Sequence, residues 1–233
     1  MKKILIIAFF TILSITAYAD EFSKSGSVGA QFLKIGVGAR YHGMGEASVA
    51  SVNDVYSLYW NPAGMTNINS SQLAITHINY LADISLNYIA YAKRYEGIGV
   101  FGAALTILSM SDQEITTVDP DGQDGTGNFY SASSWAFQLG FARNLTANFS
   151  FGGSFKIIGE KIYRETASGF AFDFGTLLYT GFRSLRLGMN ISNMGPGMKF
   201  DGPDLNNSTA NIENPNDELA PSRMTTEIGR AHV

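Results

Sequence analysis

The chain has 233 residues, of which 15% are charged, and a formal net charge of −4. This length holds one large domain, and the acidic balance excludes a binder that holds nucleic acid by charge. There is no cysteine, which excludes disulfides, thiolate metal sites and a lipid anchor on a mature N-terminal Cys.

Met1-Lys2-Lys3 gives a positive start, "ILIIAFFTILSIT" an apolar core, and Ala17-Tyr18-Ala19 a small-x-small site before Asp20. This is the pattern of a secretory signal cleaved after Ala19, and its apolar run falls short of the about 18 residues of a membrane helix. No later stretch reaches that length without polar interruption. An exported chain of this kind is either soluble or a membrane β-barrel. The 25 Gly, 16 Phe and 11 Tyr, with so few charges, favour the barrel.

In "YSLYWNPAGM", Asn53 or Asp54 is placed to cap a short helix that runs through Tyr59. Pro62 fixes its own φ and restricts Asn61, and Gly64 permits a tight reversal. The segment reads as helix, stiff turn, then strand. By local chemistry alone it is also simple punctuation before the first strand.

Seven strands follow. The first three are expected at 72–80, 84–93 and 98–110. In "SSWAFQLGFARNL", Trp135, Phe137, Leu139 and Phe141 oppose Ser134, Ala136, Gln138 and Gly140. In "NFSFGGSFKIIG", Phe151, Phe155 and Ile157 oppose Gly152, Ser154 and Lys156. "GFAFDFGTLL" sets Phe170, Phe172 and Phe174 against Ala171, Asp173 and Gly175. "LRLGMNIS" sets Leu187, Met189 and Ile191 against Arg186, Gly188 and Asn190. A soluble sandwich, the third reading, would carry Lys, Glu and Thr on its open face, whereas the second face here is Gly, Ala and Ser with isolated charges. Bulky residues toward lipid and small or polar ones toward a lumen explain the pattern better. On this phase Lys156, Asp173, Arg186 and Asn190 point into the lumen.

The connections "KRYEG", "RNLTAN" and "YTGFRS" are short, and all are even-numbered along the chain. Those near 111–131 and 194–222 are very long, and "YLAD" and "KIYRETASG" also fall at odd positions. In an up-and-down barrel this parity puts the short turns on one side of the membrane and the long loops on the other. The expected fold is all-β, a transmembrane up-and-down antiparallel barrel.

No catalytic constellation or cofactor motif is present, so the protein is expected to be non-enzymatic and to hold neither cofactor nor metal. His42, His77 and His232 lack metal-ligand spacing. Asp119, Asp121 and Asp124 fail the EF-hand pattern, because Gln123 and Asp124 replace a ligand and the required Gly.

The stretch "QFLKIGVGARYHGMGEASVASVNDVYSLYWNPAGM", residues 31–65, resembles the N-terminal signature of the PorV/PorQ family of outer-membrane proteins. The matching positions are Gly38 to Arg40, Gly43 to Gly45, Asn53, Asp54, and the run Tyr59, Trp60, Asn61, Pro62, Ala63, Gly64. The family usually shows Gly-Gly-Ala where this chain has Gly45-Glu46-Ala47. The family is similar in fold to the fatty-acid transporter FadL, which implies a barrel of about fourteen strands. The resemblance implies that residues 20–70 form an N-terminal segment with a hatch that plugs the lumen. It also implies location in the Gram-negative outer membrane among its lipids, and work with type IX protein secretion. Partners would be the C-terminal domains of secreted cargo and the secretion or attachment proteins. The alternative is a FadL-like transporter of long-chain fatty acids or other hydrophobic compounds, which apolar residues on the lumen phase would mark.

The expected division is signal peptide 1–19, N-terminal segment and hatch 20–70, partial barrel 71–226 and a non-native tail 227–233. Seven or eight strands do not close such a barrel, and "EIGRAHV" matches one reading frame of a common sequencing adapter. The expectation is a C-terminally truncated chain.

Overall fold

The structure is a computed structural model that describes residues 28–116, 125–203 and 225–228. The signal peptide, Asp119, Asp121, Asp124 and His232 lie outside the described residues, as does most of the 227–233 tail.

Period-two alternation becomes strands wherever it was read. They are β1 (Val28–Gly29), β2 (Ser71–Asn79), β3 (Ile84–Tyr95), β4 (Gly99–Met110), β5 (Gln113–Glu114), β6 (Phe129–Tyr130), β7 (Ala132–Asn144), β8 (Phe149–Ile162), β9 (Glu165–Tyr179), β10 (Arg186–Met194), β11 (Met198–Asp201) and β12 (Thr225–Ile228). The main sheet runs β2-β3-β4-β7-β8-β9 with every neighbour antiparallel, and β5 pairs with β6 apart from it. Long β9 has two partners: β10 pairs along residues 172–179 and β11 along 166–168. The break between them is Gly195-Pro196-Gly197, where Pro has no N–H for the ladder and Gly has no side chain to pack. β12 pairs with β11 and, in parallel, with β1. The sheet is open: among the described residues β2 pairs with β3 alone and β10 with β9 alone.

Three connections differ from expectation: 111–131 holds β5 and β6, 194–222 holds β11, and the third lies between β8 and β9. "KIYRETASG" is strand rather than loop, since β8 continues to Ile162 and β9 resumes at Glu165 after a turn with Tyr163 at φ 55°. Polar residues occupy both faces there, so alternation of apolar residues gave no signal. The described ends of the two very long connections leave the sheet at one end, and the short turns lie at the other.

Burial across the sheet is inverted relative to a soluble protein. On β7, Trp135, Phe137 and Leu139 are 44%, 39% and 51% exposed, while Ala136, Gln138 and Ala142 are 3%, 5% and 0% exposed. The inner face of small residues is covered by residues 30–68. Val37, Val55, Leu58, Met65 and Ile68 pack on β3, β4 and β7, while Ala30, Phe32 and Leu33 pack on Ala136, Ile158, Ala171 and Met198. No helix among the described residues is long and apolar enough to cross a membrane.

Candidate functional site: the segment on the inner face

The N-terminal segment runs the length of the inner face. At the long-loop end the Ala30 N–H donates to Glu160 Oε2 at 3.0 Å, close to the end of β8. At the short-turn end the 3-10 turn Pro62–Asn67 is tied down before the chain enters β2. Arg94 on β3 donates to the carbonyls of Thr66 and Ile68, which the turn leaves without internal donors. Tyr179 donates to Asn67 Oδ1 at 2.8 Å, and Thr66 donates to Ser150 Oγ at 3.2 Å.

Asn61 is fully buried and joins three parts of the chain. Its Nδ2 donates to Val49 O at 2.7 Å and to Thr176 O of β9 at 3.0 Å, while Oδ1 accepts from Ala63 N at 3.0 Å. Pro62 then starts the turn, as expected of a fixed φ at a first helical position. Gly64 does not make a reversal by left-handed geometry. It lies within the 3-10 turn, and a Cβ there would sit 2.7 Å from Val52 O. Its smallness is steric.

The aromatic residues fold the segment onto itself. The helix Ser57–Trp60 is preceded by Asp54, whose Oδ1 accepts from Tyr56 N at 3.0 Å. Asn53 instead accepts from Arg40 Nη1 at 3.2 Å on the surface. The N-cap position is Tyr56, so neither Asn53 nor Asp54 caps the helix as expected, and Asp54 closes a turn just before it. Trp60 Nε1 donates to Val37 O at 3.0 Å and the Tyr59 hydroxyl to Leu33 O at 2.9 Å. Their rings meet edge to face at 4.8 Å. Tyr41 donates to Asp54 Oδ2 at 2.7 Å. Burial, and then the Asp54 carboxylate, raises the Tyr41 hydroxyl above its ordinary value; burial does the same for Tyr59. Both remain neutral donors.

The sheet receives this segment through glycines. A Cβ on Gly140 would sit 2.5 Å from Leu58 Cδ2, one on Gly152 2.5 Å from Ala63 N, and one on Gly188 2.7 Å from Val49 O. On Gly175 it would collide with Asn61 Oδ1. Small inner residues therefore do more here than let strands bend, because each seats a piece of backbone or side chain from above.

Beneath Leu58 lies a buried polar cluster. Lys156 Nζ is 2.9 Å from Asp173 Oδ2 and 2.7 Å from Asn193 Oδ1. Asp173 also accepts from Ser154 Oγ at 2.7 Å, Gln138 Nε2 at 3.0 Å and Asn193 N at 2.8 Å. Gln138 reaches up as well, donating to Leu58 O at 2.6 Å. The cluster thus ties β7, β8, β9 and β10 together and links them to the segment.

Of the four inward polar residues expected, only Lys156 and Asp173 meet. Arg186 is exposed at the short-turn rim with its guanidinium over the Tyr179 ring, and Asn190 Oδ1 is shielded without a hydrogen-bond partner. Asn193 escaped the sequence reading because a register shift and its φ of 57° break the alternation and turn it inward. Among the described residues no cluster of His, Cys, Asp and Glu is arranged to hold a metal ion.

A family model for type IX secretion system protein PorV matches residues 19–214. The chain belongs to the PorV family. No curated protein matches it. The PorV match spans both the segment and the sheet from β2 to β11, and PorV is a secretion-system family rather than an enzyme family.

Proposed function

We propose that this chain is an outer-membrane β-barrel component of type IX secretion, with the sheet's outer face against lipid and residues 30–68 forming a hatch in the lumen. The inverted burial carries the reading: large apolar side chains stay exposed on one face while small ones are buried under the segment on the other. A barrel wall in a bilayer needs that arrangement, and a soluble protein does not tolerate it. The closed ring is part of the proposal, since an unpaired strand edge in hydrocarbon is costly and β2 and β10 each need a second partner. Signal cleavage, FadL-like closure and orientation with the long loops outside the cell complete it.

Binding of exported cargo or attachment partners is assigned to the surface with the long connections, because such loops on a rigid scaffold are where recognition residues concentrate. The segment packs over the inner face's own apolar residues, Leu86, Tyr88, Val100 and Ile158 among them, so a fatty-acid route would have to displace it. Deleting residues 52–65 tests the hatch: the variant inserts but conducts far more ions in planar bilayers than the intact protein, and unchanged conductance overturns the hatch. Purification of the full-length protein from outer membranes tests the partners. Secreted proteins sharing a C-terminal domain should co-purify, whereas bound fatty acid or hydrocarbon in their place overturns the cargo reading.

A further inference from the structure

On the outer face the rows of large side chains are interrupted at Ala103 and Gly153. These two residues floor a groove of about 630 Å³ with Tyr91, Phe101, Phe141 and Phe174 among its walls. The volume falls within the range of about 300–1,000 Å³ typical of ligand sites. Gly153 is not required by packing: a Cβ there would come no closer than 3.5 Å to a neighbouring atom, which is ordinary contact. This contrasts with Gly152 beside it, where the segment fills the space. The missing side chain at 153 is a recess in the outer surface.

One rim of the groove carries a charge. Lys93 is exposed on the outward phase near the end of β3, with its amine 5.3 Å from the Tyr95 ring centroid. Among the described residues no carboxylate pairs with it. Arg143, near the end of β7 on the same outward phase, is likewise exposed and unpaired with any acid among them. Both lie at the short-turn end, so among the described residues the cations flanking this part of the apolar face gather where a lipid headgroup would be. A long cationic side chain there runs its stem along the apolar surface and places its charge at the membrane boundary.

We propose that the groove is a phospholipid site. One acyl chain lies over Gly153 and Ala103 between the aromatic rings, and the headgroup phosphate is held by the Lys93 amine, with Arg143 adding to the positive field. The complementarity selects an anionic phospholipid of the leaflet at the short-turn side. The proposal rests on the membrane-facing reading of this surface.

The test uses the full-length protein in vesicles of phosphatidylcholine and phosphatidylglycerol in equal parts. It is released in mild detergent and the retained lipids are counted by native mass spectrometry. Wild type retains phosphatidylglycerol in preference. K93Q lowers that preference about fivefold, the effect of one basic residue near the membrane surface. G153F fills the recess and lowers retention of both lipids. In parallel, brominated acyl chains should quench the fluorescence that W135F removes, which tests the membrane reading itself. If Trp135 is quenched but K93Q and G153F both retain lipid as wild type does, the groove proposal falls and the membrane reading stands. Absence of quenching overturns both. Retention of lipopolysaccharide in place of phospholipid also overturns the proposal.

Discussion

The inner side of β8 presents Ser150, Gly152, Ser154 and Lys156; its outer side presents Phe151, Gly153, Phe155 and Ile157. The first set is buried and small or polar, while the second is largely apolar, partly exposed and, except at Gly153, bulky. In this sheet, side-chain size follows what approaches each face rather than how deeply the residue lies. Folded backbone from the N-terminal segment comes down on the inner side, so Gly and Ser make room for it. On the outer side nothing among the described residues approaches, and the large apolar groups stay exposed. Segment residues such as Leu58, Met65 and Phe32 supply the inner face's hydrophobic stabilisation, about 1.5–3 kcal/mol for each side chain fully buried.

The sharpest way to break this contrast is to remove one partner of the ion pair that the inner face hides. Lys156 and Asp173 have side chains 5% and 1% exposed, so K156M leaves a carboxylate buried without its counter-charge. A loss of about 3–5 kcal/mol is expected from breaking such a pair. It is measured as a lower midpoint of denaturant unfolding in micelles, read by release of the segment to protease. K156M/D173L should recover only the part of the loss that comes from the unpaired charge, because Leu at 173 leaves the Ser154, Gln138 and Asn193 donors without their acceptor. A double variant as unstable as the single one would show that Asp173's bonds to Gln138, Ser154 and Asn193 matter more than its charge balance.

Gly152 and Gly153 test the same contrast at neighbouring positions. G152L drives a side chain into Ala63 and Pro62, with an overpacking cost of about 1–3 kcal/mol or displacement of the turn. G153L meets open surface and should leave the unfolding midpoint and the segment's protease resistance near wild type. Equal effects would mean that the segment does not sit on the inner face as described.

These two glycines also show how far the sequence could be read. The strands were legible because runs such as Trp135, Phe137, Leu139 and Phe141 recur with period two, which is local information. That Gly152 must be small for Ala63 was not, since the two are brought together only by the fold. The site was legible in part. Asn61, Pro62 and Trp60 stood out by type and order, and Lys156 and Asp173 by phase. Asn193 was hidden by a register shift that no alternation reveals, and Arg186 shared the inward phase yet ended at a rim. The β8–β9 turn was missed because Lys161, Arg164 and Glu165 put polar groups on both sides of it. Residues 28–35 carry no period, so their course along the long-loop end emerges only from their contacts with Glu160 and Ile158.

The smallest expected effect concerns how the segment, as against the sheet, responds to alkali. Tyr41 and Tyr59 hold their protons above the ordinary tyrosine value of 10.0 in the folded segment, chiefly through burial. The unfolded chain ionises these groups first, so their contribution is fully present below pH 10 and is lost as pH rises beyond it. The segment should therefore loosen progressively above that pH. Y41F removes the hydrogen bond to the Asp54 carboxylate and costs about 1.5 kcal/mol at neutral pH, the low end for a bond to a charged group that is only part-buried. It also removes one of the titrating groups, so its stability should fall less steeply in alkali and approach that of wild type. Parallel curves for the two proteins above pH 10, followed by protease release of the segment, would exclude Tyr41 as a source of the pH dependence.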